Sequence, residues 1–120
     1  MEQNKPKVKL VEKRVKFTSL EEIVRLQFVL YSFTNNVHLT PGDYNLLVHV
    51  AINGYHRSST PKELVEKRIF LHAQSVRNTR IKLCGQGLLV KKTKTSYDID
   101  PKLQIERSGH ILVDLKAINV

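Results

Sequence analysis

The chain contains no tryptophan, one methionine and a single cysteine in 120 residues. Cys84 therefore has no internal disulfide partner, which fits a reducing compartment. No apolar run approaches the roughly 18–20 residues of a membrane span, so no membrane partner is expected. The opening residues, MEQNKPKVKL, bring charge without a following apolar stretch, and no secretory leader is expected. A cytoplasmic setting is the resulting expectation. The five histidines, His38, His49, His56, His72 and His110, show no H-x-x-x-H or H-E-x-x-H spacing, and no cysteine pair accompanies them. His49, inside an apolar stretch, reads as a packed or surface histidine rather than a ligand. G-x-S-x-G, phosphate-loop and paired-carboxylate signatures are missing too. No metal, cofactor or catalytic activity is expected. Aromatics make up 7% of the chain, few for a platform on which unpaired RNA bases would stack.

What the chain has in excess is positive charge, unevenly placed. The net charge is +9. Residues 1–17 hold six Lys/Arg against two Glu, and residues 56–94 hold ten against two. Residues 18–55 and 95–120 are slightly acidic. Such segregation points to an anionic partner met by particular segments, not to a uniformly solvated surface.

The pattern predicts an α+β fold in one domain over residues 1–120. Residues 1–17 read as a basic arm or edge strand, because Val8 and Leu10, then Val15 and Phe17, alternate. Ser19 and Glu22 form a capping-box pattern ahead of an apolar run, EEIVRLQFVLYSF, that suits a buried helix and leaves a strand open. Asn35-Asn36 ends it. Thr40-Pro41-Gly42-Asp43 starts the next helix with a cap, a first-turn proline and an acid at the positive end of the dipole. Tyr44, Leu47, Val48, Ala51 and Ile52 form its core face, and Asn53-Gly54 stops it. Arg57-Ser58-Ser59 is a polar linker.

Thr60-Pro61-Lys62-Glu63 repeats the capping device, with a helix expected to run to about Arg68–Phe70. A second helix is expected from Ala73 to Cys84, with Val76 and Leu83 facing inward and Gly87 accepting a left-handed conformation at its end. Leu88–Thr93 reads as a strand, Lys92–Thr95 as a hairpin tip, and Ser96–Asp100 as the returning strand, closed by Pro101. Leu103–Glu106 and His110–Lys116 are expected to form a carboxy-terminal β extension over residues 101–120, with a turn at Ser108-Gly109.

The residues facing away from Val76 and Leu83 carry groups suited to nucleic acid. Arg77 can fork to guanine, Gln74 and Asn78 can pair with adenine, and Ser75 and Lys82 can hold phosphates. Lys91, Lys92 and Lys94 would bring cations to the adjacent backbone. The helix starts at Thr40 and Thr60 are further candidate phosphate contacts. Cys84, beside core residues, reads as a packed thiol.

From Leu39 onward the chain resembles the winged-helix domain of MarR-type regulators. The matching segments are LTPGDYNLLVHVAINGY, TPKELVEKR and SVRNTRIKLCGQGLLVKK. The ending Leu88-Leu-Val-Lys-Lys with Tyr97-Asp-Ile-Asp-Pro101 also looks like the wing of RepL-type plasmid and phage replication initiators. The resemblance covers about two-thirds of the chain. It implies a winged helix-turn-helix over residues 39–100 and double-stranded DNA as partner. Transcription regulation or replication initiation follows as the process, in a bacterial or phage-infected cell. There are departures. The turn between the paired helices has Ile69-Phe70-Leu71 where such folds carry glycine. Thr79 and Arg80 occupy the inward stripe, with Ile81 off it. The long carboxy-terminal helix of MarR dimers is absent, so their mode of dimerisation does not carry over. Ile69, Phe70 and Leu71 are accordingly candidate contacts for a protein partner, a homodimer included. The alternative reading is an interaction module inside a larger assembly such as a phage particle or a replication or transcription complex.

Overall fold

A computed structural model describes residues 19–107. It is an α+β fold of four helices and a small three-stranded antiparallel sheet. The expected strands at 7–17 and 110–116, and the turn at Ser108-Gly109, lie outside the described residues.

Helix α1, Leu20–Thr34, begins where the Glu22 amide donates to Ser19 Oγ at 3.2 Å. The apolar run that left a strand open is therefore helical. Ile23, Val24 and Phe28 are buried, and Asn36 takes a left-handed φ of 54° just beyond the end. Helix α2, Pro41–Asn53, has the Thr40 cap its sequence predicts, and Asp43 makes that cap reciprocal. The Asp43 amide donates to Thr40 Oγ1 at 3.2 Å and the Thr40 amide donates to Asp43 Oδ2 at 2.9 Å. Burial extends beyond the expected stripe. Leu46, Leu47, Val48, Val50 and Ala51 are all buried, while Tyr44 and Ile52 are half-buried. α2 is thus the central helix, enclosed on most sides, as expected for a segment with little polar surface.

Strand β1, Tyr55–His56, is a two-residue element just ahead of the polar linker, where the sequence reading assigned no strand. It pairs with β3, Ser96–Ile99, which also pairs with β2, Leu89–Lys91. The registers Tyr55 to Tyr97 and Leu89 to Ile99 put Leu89 and Ile99 into the core and Tyr55 beneath Tyr97. The two tyrosine rings meet edge to face at 5.6 Å.

Helices α3, Thr60–Glu66, and α4, Ala73–Gly85, pack against each other, and α4 also rests on α2 and β2. Thr60 is not the cap expected of it. It lies inside the helix, buried, and its Oγ1 accepts from the His56 amide at 2.7 Å. The hydroxyl thereby secures β1 to α3, and no side-chain hydrogen bond caps the helix start. α3 ends at Glu66, short of the expected Arg68–Phe70, because the chain reverses at Arg68, whose φ is 60°. The Ile69 and Phe70 amides both donate to Leu64 O, which closes the reversal. Leu64, Val76 and Leu83 are fully buried between the two helices and the rest of the core. Truncating one of these leucines to alanine would cost about 2–5 kcal/mol.

The expected strand at Leu103–Glu106 does not form. Pro101–Leu103 is a 3-10 turn capped by Asp100, whose carboxylate accepts from the Lys102 amide at 3.0 Å. Gln104 then turns left-handed at φ 51° and steers the chain away from the sheet edge. Residue 106 is held instead by α1: the Glu106 amide donates to Gln27 Oε1 at 2.6 Å, and Gln27 Nε2 donates to Glu106 O at 2.7 Å.

Candidate nucleic-acid interface

The outward face of α4 is polar. Val76 and Leu83 anchor the inner side, so a 100° step per residue turns Gln74, Asn78 and Ile81 directly outward, with Arg77, Ser75 and Lys82 on the flanks. Gln74, Ser75, Arg77 and Asn78 are all exposed. Three of them form a chain of side-chain hydrogen bonds. Gln74 Nε2 donates to Asn78 Oδ1 at 3.0 Å, and Arg77 Nη1 donates to Gln74 Oε1 at 3.5 Å. The bonds use one acceptor on each amide and leave most donors of the set pointing to solvent. Thr79, on the inward half, satisfies its hydroxyl on Ser75 O at 2.8 Å. That is how a polar residue occupies this stripe.

Lys82 stands differently from the expectation that it holds a phosphate. Its Nζ lies 2.5 Å from Asp43 Oδ2, and the Asp43 side chain is 3% exposed. The lysine therefore neutralises a buried carboxylate and ties the middle of the chain to α4. The same pair corrects the reading of the Thr40 helix start as a phosphate site. That terminus already holds a carboxylate, matched by its own cation, and a second anion there would be repelled.

The β2–β3 tip spans residues 92–95. The Lys92 amide donates to Ser96 O at 2.9 Å, and Thr93 Oγ1 and Ser96 Oγ share a hydrogen bond at 2.8 Å. Lys91, Lys92 and Lys94 are exposed around this turn. Lys92 has a distant counter-charge, Asp98, at 3.9 Å. Such an exposed pair is worth roughly 0–1 kcal/mol and leaves the cation available. Asp98, read from sequence as solvent-facing, is also within 3.8 Å of the Arg107 guanidinium.

Two cations were missed by sequence reasoning. Arg57, assigned to a polar linker, is bound to the tip: its amide donates to Thr95 O at 2.8 Å and its Nη1 to Lys94 O at 3.5 Å. Arg57 follows directly on β1, and a two-residue strand is too short to show periodicity in the sequence. Arg80, on the inward stripe of α4, lies over the Tyr97 ring at 4.5 Å and near the Tyr55 ring at 5.8 Å. It joins α4 to the sheet through two aromatic faces, each such contact being worth about 0.5–2 kcal/mol. Its Nε and the Tyr55 hydroxyl are buried without hydrogen-bond partners. The guanidinium rests chiefly on the two rings, close to the hydroxyl but outside good hydrogen-bond geometry with it. Burial raises the Tyr55 pKa above its ordinary value, opposed by the approach of the Arg80 guanidinium to the hydroxyl and by the Arg80 and Arg77 charges.

The apolar turn divides. Leu71 is 86% exposed and Ile69 is exposed, but Phe70 is half-buried against the core with its ring beside Gly42. Phe70 therefore packs on the core and offers less surface than its two neighbours. His49 is buried, with Nε2 3.7 Å from Glu63 Oε1. Burial lowers its pKa; Glu63 pulls it up and Lys67 pushes it down. Cys84 is half-buried at the end of α4, and burial raises its thiol pKa, which disfavours the reactive thiolate.

Among the described residues no cluster of His, Cys, Asp and Glu is placed to hold a metal ion, and no helix is long and apolar enough to cross a membrane. No family model, curated protein or solved structure matches the chain.

Proposed function

We propose that this protein binds double-stranded DNA as a winged helix-turn-helix module acting in transcription regulation or replication initiation. In this reading α3 and α4 are the helix pair, α4 enters the major groove, and the β2–β3 hairpin is the wing whose lysines lie on the neighbouring backbone. The observation that carries it is the exposed Gln74–Arg77–Asn78 network on the outer face of a helix whose other side is locked into the core. A helix with its side chains is about 10–12 Å across and the major groove is about 12 Å wide, so one α-helix fits. The donors on that face suit base edges, which in the major groove present acceptors on guanine, adenine and thymine. Arg57, Lys91, Lys92 and Lys94 surround the tip and supply the phosphate-facing charge. Arg80 fixes the wing against α4, so that the two contact surfaces move as one body.

Selection from a pool of random duplexes at two salt concentrations tests this. The expected result is an enriched sequence, bound more tightly than random duplex, with affinity falling steeply as salt rises. Arg77→Ala should alter which sequence is enriched. Equal affinity for enriched and random duplex, with no salt dependence, would overturn the reading.

A second reading, a winged helix used as a protein-interaction module, is favoured by the exposure of Leu71 and Ile69 beside one another on the α3–α4 turn. It predicts a complex recovered with the full chain that survives nuclease and high salt, and is lost on Leu71→Ser.

A further inference from the structure

Ile81 is the anomaly of the α4 face. It is 57% exposed, yet it sits on the same outward line as Gln74 and Asn78, seven and three residues before it. Nothing on the helix shelters it. The position one turn further on is Gly85, where a side-chain carbon would meet no atom within 4 Å. The branched side chain therefore projects from a line of hydrogen-bond donors into open space. It is also a poorer helix former than the Lys, Gln or Arg found elsewhere on this face.

The DNA-binding reading gives this side chain a chemical counterpart. In the major groove one base carries an apolar group at its edge: thymine, through its C5 methyl. Gln74 and Ile81 are separated by about 10 Å along the helix axis, close to three base steps. A helix seated with Gln74 and Asn78 on base edges thus carries Ile81 to another edge in the same groove. We infer that Ile81 is a specificity-determining residue, which selects a thymine by packing against its 5-methyl group. The inference rests on the DNA-binding reading and adds to it the identity of one base in the site.

The test uses the full chain and the duplex enriched by selection. Each thymine of that duplex is replaced in turn by deoxyuridine, which removes the methyl and keeps every hydrogen-bonding group. For the wild-type chain, one position should weaken binding about fourfold, the factor expected for one buried methyl group. For Ile81→Ala the thymine duplex should itself bind more weakly, and the deoxyuridine substitution at that position should change nothing further. Ile81 is exposed, so the variant should keep the wild-type melting temperature, which checks that the fold is retained. If every deoxyuridine duplex binds the wild type within the error of the thymine duplex, while Arg77→Ala still changes the enriched sequence, the DNA-binding reading stands and the role of Ile81 is refuted. If Ile81→Ala remains as sensitive to the methyl as wild type, another residue reads it and the inference also fails. If no duplex is enriched at all, both fail together.

Discussion

Lys82→Met separates a structural cation from a phosphate-binding one. The substitution keeps an unbranched apolar stem and removes the charge. It leaves Asp43, 3% exposed, with the Thr40 amide as its remaining close partner. Breaking a fully buried ion pair costs about 3–5 kcal/mol because the remaining charge is left uncompensated. Lys82 is 41% exposed, so solvent already screens its side of the pair. A loss of about 2 kcal/mol is then the reasoned figure. For a domain of this size that lowers the melting temperature by roughly 6–10 °C. Urea denaturation of Lys82→Met, Asp43→Asn and the double variant measures it. The double variant should be less destabilised than the sum of the singles, by about 1 kcal/mol, because each single change removes the same interaction. Additive singles, or a Lys82→Met cost below about 0.5 kcal/mol, would refute the pair as a fold element. A variant of unchanged stability that bound duplex as weakly as Lys94→Ala would place Lys82 on DNA instead.

Three more outcomes are expected. Burial lowers the His49 pKa, so the unfolded chain binds a proton there before the folded one does. The contribution of His49 is complete above the unfolded value near 6.5 and declines as pH falls from there toward the folded pKa. Unfolding free energies between pH 7.5 and 5 should show this decline, and His49→Gln should flatten it; an unchanged slope would count against a neutral buried imidazole. Arg80→Met should cost about 1–2 kcal/mol through loss of the two ring contacts, and should move the Tyr55 titration to higher pH in an ultraviolet absorbance series. A downward shift would contradict the arrangement. Lys94→Ala should weaken all duplex sequences alike and reduce the slope of log K against log salt by about 0.9, whereas a change of sequence preference would place Lys94 among base contacts.

The parts of the fold legible in the sequence are those fixed by neighbours in the chain. Thr40-Pro41-Gly42-Asp43 makes its cap from residues three apart, and Gly87 takes the left-handed conformation, φ 78°, that ends α4. Val76 and Leu83 were found because a helix repeats every seven residues, and both are buried. What was not legible depends on partners far along the chain. Thr60 has the same local pattern as Thr40, but β1 passes beside it and claims its hydroxyl. Lys82 looks like any other cation of an exposed face until Asp43, 39 residues earlier, is brought to it. Arg80 breaks the apolar stripe in sequence and is accommodated because two tyrosines from separate strands form its floor. Residues 103–106 have strand-like composition, yet the 3-10 turn and the Gln27 side chain hold them away from the sheet edge. For the candidate site the sequence indicated the face of α4 and the lysines of the tip. It did not distinguish the solvent-facing Arg77 from the paired Lys82, or include Arg57.

The most direct test of the central claim is a backbone amide shift titration of the full chain with the enriched duplex. DNA bound through this face should perturb Gln74–Ile81 on α4 and Lys91–Thr95 on the hairpin, with Arg57 among them and Val29–Phe33 of α1 unaffected. Perturbations confined to α1 or to the Ile69–Leu71 turn, or none at saturating duplex, would contradict it.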